Sequence, residues 1–406
     1  MEFYTIQLLE EYSDDITEIN LIKRDITNLL DLAKFPNLTK LDCSSNKITH
    51  FHNLPFQLTE LNCSNNKITH LDNLPFQLIK LHCDYNQITS LDNLPLKLTE
   101  LYCSFNEIVQ LNKLPSQLTE LICSSNKITN LDYLPQNLTE LYCDRNQLKQ
   151  LDNLPSCLTK LSCNYNQITQ LDKLPQNLTE LCCYYNQLKQ LNNLPSKIIK
   201  LSCSSNKITS LNNLPPYLIE LYCNDNKITQ FDNSLQNLTS LTIMMCHNNI
   251  LTQLDNLPAQ LMELNCSNNK ITYLNNLPAQ LMELICYANT ILELNNLPSS
   301  LSFLNCSSNK ITHLEYLPAS LYELDCSSNK ITHLNNLPSC LTKLYCYNCM
   351  ITQMNNLPNS LNVLYCSSNK ITNLNNLPTQ LKQLNCANNG INLHELKKRY
   401  PTIKIE

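Results

Sequence analysis

The sequence predicts a solenoid of about nineteen short parallel coils, and three observations lead to this fold class. Eighteen cysteines recur every 20 residues from Cys43 to Cys386, with a single insertion of three residues. Leucines and an asparagine recur in phase with them, and sixteen Leu-Pro dipeptides follow at the same interval. The chain has one glycine in 406 residues, and no stretch has the composition of a linker, so we expect one repeated architecture.

Each coil follows the pattern Leu-x-x-Leu-x-Cys-x-x-Asn-x-Ile-x-x-Leu-x-x-Leu-Pro, as in residues 58–75. With Leu58 at position 1, the cysteine occupies position 6 and the asparagine position 9. Positions 4 and 6 alternate with outward positions 3, 5 and 7, which indicates a short strand with one buried side. Such strands would stack in parallel as a sheet on the concave face. Proline disfavours helix in the return segment, so we expect an extended, polyproline-like convex face.

This pattern resembles the leucine-rich-repeat family, whose signature it meets with cysteine at the third apolar site. The resemblance covers most of the chain and implies the α/β horseshoe class of solenoid, here mostly β. The 20-residue Leu-Pro repeat is similar to the repeat region of bacterial type III effectors. The richness in cysteine and asparagine is similar to leucine-rich-repeat proteins of giant DNA viruses that infect amoebae.

Both ends of the repeat array predict caps. Residues 1–37 would form an N-terminal cap and a degenerate first coil, with Arg24 at the asparagine site. Residues 38–391 would form the solenoid. Residues 392–406 predict a C-terminal cap with a short helix that begins at Asn392 and has basic residues in its last turn.

One irregular coil, at residues 231–249, contains the three extra residues and lacks Leu-Pro. Two alignments fit it, and the sequence leaves both open. In the first, positions 1, 4 and 6 are Leu241, Met244 and Cys246. In the second they are Leu238, Leu241 and Ile243, with residues 244–246 bulged out.

The repeated asparagines and cysteines are expected to be structural. A buried amide needs hydrogen-bond partners, so the asparagines should form a ladder against the backbone of adjoining turns. Cysteines on in-register parallel strands lie about 4.8 Å apart with parallel side chains, which does not suit a disulfide. In the one C-x-x-C motif, Cys349 takes the asparagine site. We therefore expect free thiols, a reducing compartment, no metal and no cofactor.

No catalytic constellation is evident, so an enzyme is not expected. Type III effectors often carry a ubiquitin-ligase domain with a C-x-D motif, but the only such motif here, at Cys223, lies inside the repeat. A net charge of −5 with scattered basic residues argues against nucleic-acid binding. The acidic N-terminus and the lack of a long apolar run predict a soluble, intracellular protein without membrane contact, in the host cytoplasm if the source is viral.

The candidate binding surface lies where the coils differ, at the outward positions 2, 3, 5, 7 and 8. Twelve of the nineteen tyrosines occupy these positions, and tyrosine is a favoured interface anchor. Position 3 adds a row of three like charges. The predicted contact residues are Tyr85, Glu100, Tyr102, Phe105, Glu120, Glu140, Tyr142, Arg145, Tyr165, Tyr184, Tyr185 and Tyr222.

The function expected from these features is a protein-interaction scaffold, monomeric, that binds a protein or peptide partner on its concave face. Two alternatives remain open. One is a structural protein that packs into a larger assembly, and the other is a host-directed adaptor similar to an effector.

Overall fold

The computed structural model describes residues 12–29, 32–232 and 235–406, and the chain divides into two compact units, Met1–Ile198 and Ile199–Glu406. Both units consist of the predicted coils, and each coil contributes one short parallel strand. The predicted parallel β-solenoid with a short C-terminal helix is therefore confirmed.

In the first unit, the strands are three residues long and pair in parallel with an unshifted register, as in Glu60 opposite Lys80. They are Glu18–Asn20 (β1), Lys40–Asp42 (β2), Glu60–Asn62 (β3), Lys80–His82 (β4), Glu100–Tyr102 (β5), Glu120–Ile122 (β6), Glu140–Tyr142 (β7), Lys160–Ser162 (β8) and Glu180–Cys182 (β9).

The second unit repeats this arrangement and ends with the helix Leu393–Arg399 (α1) and a two-residue strand. Its strands are Lys200–Ser202 (β10), Glu220–Tyr222 (β11), Ile243–Met245 (β12), Glu263–Asn265 (β13), Glu283–Ile285 (β14), Phe303–Asn305 (β15), Glu323–Asp325 (β16), Lys343–Tyr345 (β17), Val363–Tyr365 (β18), Gln383–Asn385 (β19) and Lys404–Ile405 (β20).

The core of each coil is apolar, as the repeat pattern predicts. In one coil, Leu78, Leu81, Cys83 and Ile88 at positions 1, 4, 6 and 11 are fully buried. Position 17 varies between coils: Leu94 and Leu134 are buried, whereas Leu74 is half-buried and the proline that follows it is buried. The proline ring thus supplies part of the apolar packing expected of that leucine.

The asparagine ladder connects neighbouring coils within each unit. The Asn86 amide nitrogen donates to the carbonyls of Cys63 and Cys83 at 3.0 and 3.1 Å. Its side-chain oxygen accepts the backbone N–H of Ile68 at 3.0 Å. Position 9 therefore satisfies the polar backbone of two adjacent turns, which is the structural role predicted for it.

The position-6 cysteines are buried, and the twenty-two cysteines of the chain, which lie within the described ranges, are thiols outside any disulfide. Some donate to a backbone carbonyl of the next coil, as Cys83 Sγ does to Tyr102 at 3.3 Å. Burial raises the pKa of these thiols, to about 12 for Cys203 and for Cys266. Such thiols are protonated at neutral pH, where thiolate chemistry is suppressed.

The return segments contain no α-helix within the described ranges, as proline at position 18 predicts. Each regular one ends in a tight turn, in which, for example, the Leu78 N–H donates to the Pro75 carbonyl at 3.1 Å. Two longer coils use a short 3-10 helix instead, at Leu32–Lys34 and at Leu235–Asn237.

The irregular coil adopts the first of the two alignments. Met244 lies opposite Leu221 in the parallel register, and Met244 and Cys246 are both fully buried. Residues 244–246 are therefore not bulged out. The extra length is taken up before the strand, in the segment that holds the second 3-10 helix.

The ends of the chain also contain the predicted elements where they are described. Strand β1 belongs to the degenerate coil, and Asn46 of the next coil accepts the Arg24 backbone N–H at 2.9 Å. The expected cap in residues 1–11 lies outside the described residues. Asn392 caps the N-terminus of helix α1, since its side chain accepts the Glu395 N–H at 3.2 Å, and the helix carries basic residues in its last turn.

Candidate protein-interaction surface

Eleven of the twelve predicted contact residues lie in the first unit, on the coils of β4 to β9. Tyr222 lies on β11 in the second unit, where its hydroxyl donates to Glu220 at 3.0 Å. The eleven occupy four repeat positions. Position 3 holds Glu100, Glu120 and Glu140, position 5 holds Tyr102 and Tyr142, position 7 holds Tyr184, and position 8 holds Tyr85, Phe105, Arg145, Tyr165 and Tyr185.

The outward side chains at positions 3 and 5 of β4 to β7 form a surface that we call the strand face. Alternation along a strand places these two positions on the same side of the sheet, while position 4 is buried between them. The three glutamates of the strand face are direct neighbours, since Glu100 pairs with Glu120 and Glu120 with Glu140. A row of three carboxylates therefore crosses β5 to β7.

Neighbouring donors stabilise this row of carboxylates from within the chain. Glu100 contacts Lys80 Nζ at 2.9 Å and His82 Nε2 at 2.8 Å. The middle residue, Glu120, accepts the Tyr102 hydroxyl at 2.9 Å. Glu140 contacts Lys160 Nζ at 3.2 Å, so the outer glutamates have a lysine partner on the flanking strand.

These contacts change the ionisation of the strand face. Burial opposes ionisation of Glu100, but hydrogen bonds from Lys80, His82 and Tyr102 outweigh it and lower the pKa of this carboxyl. Burial and the hydrogen bond to Glu120 raise the pKa of Tyr102. The glutamate stays charged and the tyrosine stays a donor at neutral pH, so the face presents negative charge beside aromatic rings.

The second part of the surface is a row of side chains at position 8, which we call the position-8 ladder. Tyr85 and Phe105 stack with ring centroids 4.1 Å apart and planes 8° from parallel. Tyr165 and Tyr185 stack at 4.4 Å with the same 8° angle. The Arg145 guanidinium lies over the Tyr165 ring at 4.1 Å. Aromatic and cationic groups thus stack in two runs, and Tyr85, Phe105 and Tyr185 are about half exposed.

Every residue of the position-8 ladder has a left-handed backbone. Their φ angles lie between 51° and 54°, as for Tyr165 and Phe105. Asparagine is the residue that tolerates this conformation best after glycine, whereas a bulky side chain there is a true outlier. The coil fixes this geometry, because Asn65 and Asn268 adopt it at the same position.

The two units differ at this position. In the second unit, position 8 holds only small or short polar residues, namely Ser205, Asp225, Asn248, Asn268, Ala288, Ser308, Ser328, Asn348, Ser368 and Asn388. Among the cysteine-bearing coils, large side chains at this strained position are therefore confined to residues 85–185 of the first unit, and Lys23 of the degenerate first coil also adopts it. The alternating sequence pattern places position 8 outside the strand. The pattern does not predict the backbone φ angle of that residue.

Sequence reasoning missed two features of the first unit. His82 stacks on Tyr102 with centroids 4.1 Å apart, and its place at position 5 of the preceding strand was a usable signal. The other feature lies away from the strand face. Phe56, Phe76 and Leu96 at position 19 of three successive coils are exposed by 61–78 %.

The remaining reactive groups are scattered. Cys182 is half-buried on β9, and Cys349 at the asparagine site donates to the Cys326 carbonyl at 3.4 Å. No three histidine, cysteine or acidic side chains in the described ranges are grouped so that they could hold a metal. In the same part of the chain, no helix has both the length and the apolar character needed to cross a membrane.

No protein-family model and no curated protein matches this sequence. Solved structures do match it. YopM from Yersinia enterocolitica WA-314 is 30 % identical, with a TM-score of 0.86 over 96 % of this chain and 91 % of that one. YopM from Yersinia pestis, described as a leucine-rich effector protein, is 29 % identical over 91 % and 88 %, with a TM-score of 0.54. The functional domain of InlJ from Listeria monocytogenes, described as including a cysteine ladder, is 27 % identical over 94 % and 74 %, with a TM-score of 0.57. On its repeat, its coils and these matches, the chain belongs to the leucine-rich-repeat proteins.

Proposed function

We propose that this chain is a non-enzymatic scaffold that binds a partner protein or peptide on the strand face and position-8 ladder of its first unit. The observation that carries the proposal is that, among the cysteine-bearing coils, large side chains at position 8 occur only in residues 85–185. A bulky residue held in the left-handed region costs on the order of 1–3 kcal/mol. Asparagine at the same position avoids much of this cost, and the second unit has asparagine there at Asn248, Asn268, Asn348 and Asn388.

Stacking within the ladder offsets part of the free-energy cost of this backbone conformation. An aromatic pair contributes about 0.5–1.5 kcal/mol beyond its buried area. Tyr85 and Phe105 share one such contact between two strained residues, so stacking offsets the cost incompletely. Exposed, preordered rings lose little side-chain entropy on binding, so a partner would bind them with higher affinity.

The charge of the surface indicates the chemistry of the partner. Glu120 lies between two other glutamates, and its contact described above is a neutral hydroxyl rather than a cation. A basic group of the partner would relieve the repulsion along the row. We therefore propose a partner that presents lysine or arginine to the strand face and aromatic or aliphatic groups to the ladder.

The likeness to YopM supports a role as an effector-like, host-directed adaptor, since the Yersinia pestis protein is described as an effector. A monomeric state and an intracellular location belong to the same proposal. The resemblance to giant-virus repeat proteins stays a prediction that rests on cysteine and asparagine usage.

Replacing Tyr142, Tyr165 and Tyr185 together by alanine tests the proposal. The partner is first identified by crosslinking and mass spectrometry with the full chain, then purified and titrated against each variant. We expect the triple variant to lose at least about 2 kcal/mol of binding energy, because anchors of this kind cost that much each when truncated. The matched control replaces Tyr133, Tyr217 and Tyr316, which are exposed by 64–83 % and lie away from positions 3, 5 and 8. Equal binding by both variants would refute the proposed surface.

A second candidate function is assembly into a larger particle, which the exposed apolar row of Phe56, Phe76 and Leu96 favours. Exposed apolar patches of this kind mark association surfaces. Light scattering over a concentration series separates the two functions. A mass that rises with concentration, and that returns to one chain when the three residues are replaced by serine, would support assembly.

A further inference from the structure

The position-8 ladder has one missing rung, at Ser125. Tyr85 and Phe105 stack on one side of it, and Arg145, Tyr165 and Tyr185 stack on the other. Ser125 itself has the same left-handed backbone, with a φ of 53°. Its short side chain leaves the space that a ring would fill in the neighbouring coils.

The backbone does not close this space. The Phe105 N–H donates to the Ser124 carbonyl at 2.9 Å, and the Ser125 N–H donates to the Asp144 carbonyl at 2.8 Å. These bonds match the 2.8 Å bond of Tyr85, so the coils keep their spacing through the missing rung. The asparagine ladder is also continuous there, since Asn126 donates to the Cys103 carbonyl at 2.9 Å.

The dimensions of the gap suit one planar group. Adjacent strands of a sheet lie about 4.8 Å apart, so Phe105 and Arg145 on coils two apart are separated by roughly 9.6 Å. Groups within the ladder stack 4.1 to 4.4 Å from each other. A single ring midway between Phe105 and Arg145 would therefore lie at a normal stacking distance from both.

The two walls of the gap select the occupant. Phe105 offers the face of a neutral ring, whereas Arg145 offers a cation that attracts the face of an electron-rich ring. A guanidinium or ammonium group of a partner would be repelled by Arg145. An aliphatic side chain would fit the space but gain neither the stacking nor the cation–π contact.

We propose that the gap at Ser125 is a specificity slot for one aromatic side chain, tryptophan or tyrosine, of the partner. This inference rests on the proposed function, because it assigns the slot to the same partner-binding surface. The partner's ring would complete the ladder between Phe105 and Arg145, and its backbone would then lie across the coils of β5 to β7.

The probe for the slot is N-acetyltryptophanamide, followed by its indole fluorescence while the full-length protein is titrated. The chain contains no tryptophan, so the signal comes from the probe alone. We expect saturable binding to the natural chain. Ser125→Tyr should reduce the affinity by at least about fivefold, because the new ring occupies the slot. Phe105→Ala should also weaken binding, because it removes one wall.

The matched control is Ser308→Tyr, which adds a ring at position 8 in the second unit, between Ala288 and Ser328 and with the same φ of 53°. It should leave probe binding unchanged. Tyrosine already occupies this conformation at Tyr85, and circular dichroism of each variant checks that it folds. Unsaturable binding to the natural chain, or equal binding by Ser125→Tyr, would overturn the slot.

Titration of the identified partner separates this inference from the proposed function. If replacing Tyr142, Tyr165 and Tyr185 abolishes partner binding while Ser125→Tyr leaves it intact, the surface stands and the slot is wrong. If Ser125→Tyr also loses the partner and Ser308→Tyr does not, both are supported.

Discussion

At the scale of single residues, burial decides the chemistry of the cysteines. Eighteen thiols at position 6 lie in the core, and burial raises the pKa of Cys83, for example, well above its usual range. Cys340, in contrast, is exposed in a return segment. Abundance of cysteine therefore serves packing in this chain, where a small side chain suits the narrow interior of the coil.

This difference predicts a labelling order. Iodoacetamide near pH 8 should alkylate Cys340 in the native protein and leave Cys203 unmodified, because the reactive species is the thiolate. The pKa of Cys203 is raised to about 12 by burial. Peptide mapping by mass spectrometry measures how fast each of the two cysteines is alkylated. Labelling of Cys203 at the rate of Cys340 without denaturant would contradict the core placement, and full labelling in urea is the positive control.

Cys349 offers a test of the asparagine ladder. Its thiol donates to the Cys326 carbonyl at 3.4 Å, whereas Asn329, one coil earlier, donates to the Cys306 and Cys326 carbonyls at 3.0 Å each. Cys349→Asn should raise the free energy of unfolding by about 1–2 kcal/mol, because an amide replaces a weak donor and acceptor.

Urea denaturation measures this gain. Asn329→Cys is the reverse change and should destabilise the protein by a similar amount. A Cys349→Asn variant less stable than the natural chain would show that the ladder does not set the preference at position 9.

The residue roles that recur could be predicted from the sequence, and those that depend on backbone angles could not. The asparagine and cysteine ladders followed from register, because identical positions in parallel coils must be neighbours. Nothing in the pattern reveals that Tyr85 or Arg145 has a positive φ, since large residues adopt it rarely. The missing rung at Ser125 is visible only once that geometry is known.

At the scale of strands, the pairing of position 3 decides local stability. Opposite charges on adjacent strands form close ion pairs, such as Lys40 with Glu60 at 3.1 Å and Lys343 with Glu323 at 2.8 Å. The sequence predicted the row of glutamates on β5 to β7. It did not predict that His82 and Tyr102 donate into that row.

Two substitutions in the row should have opposite effects on the free energy of unfolding. Glu100→Gln should destabilise the first unit by about 0.5–1 kcal/mol, because it weakens the contacts with Lys80 and His82. Glu120→Gln should be neutral or stabilising by up to about 0.5 kcal/mol, because it removes repulsion from both neighbours. Destabilisation by Glu120→Gln greater than that by Glu100→Gln would refute this account.

The effect of Glu100→Gln should depend on pH. The pKa of Glu100 is lower in the folded protein than its ordinary value of 4.5. Its stabilisation is therefore complete above 4.5 and is lost as the pH falls through the lowered value. Urea denaturation at pH 7 and pH 3 should show the difference between the natural chain and Glu100→Gln shrink at the lower pH. A constant difference would contradict the assignment.

In the irregular coil, the sequence could not decide which residues form the strand. Leu238, Leu241 and Met244 are spaced by three, so either of two sets could occupy the buried positions. Packing decides the matter, because Met244 continues the row of Leu221 and Leu264 in the parallel register. The first coil also contains a 3-10 helix before its next strand, and Leu32 in that helix and Phe35 and Leu38 after it are buried.

At the scale of the whole molecule, the solenoid was predictable because each coil needs its neighbours to bury an apolar side. The same apolar pattern recurs in coil after coil, so the sequence indicates this stacking repeatedly. The division into two compact units after Ile198 was not predictable, since the repeat pattern continues in phase through that point. The difference between the units at position 8 gives the division a functional meaning in our proposal. We propose the first unit as the binding unit because it carries these large side chains.

The most direct test of this claim is covalent footprinting of tyrosines with and without the purified partner, read by mass spectrometry. We predict that the partner protects Tyr85 and Tyr185, which are both about half exposed on the position-8 ladder of the first unit. Tyr217 and Tyr316 of the second unit, exposed by 64 % and 83 %, should label equally in both states. Protection of Tyr217 or Tyr316 with unchanged labelling of Tyr85 and Tyr185 would contradict the account.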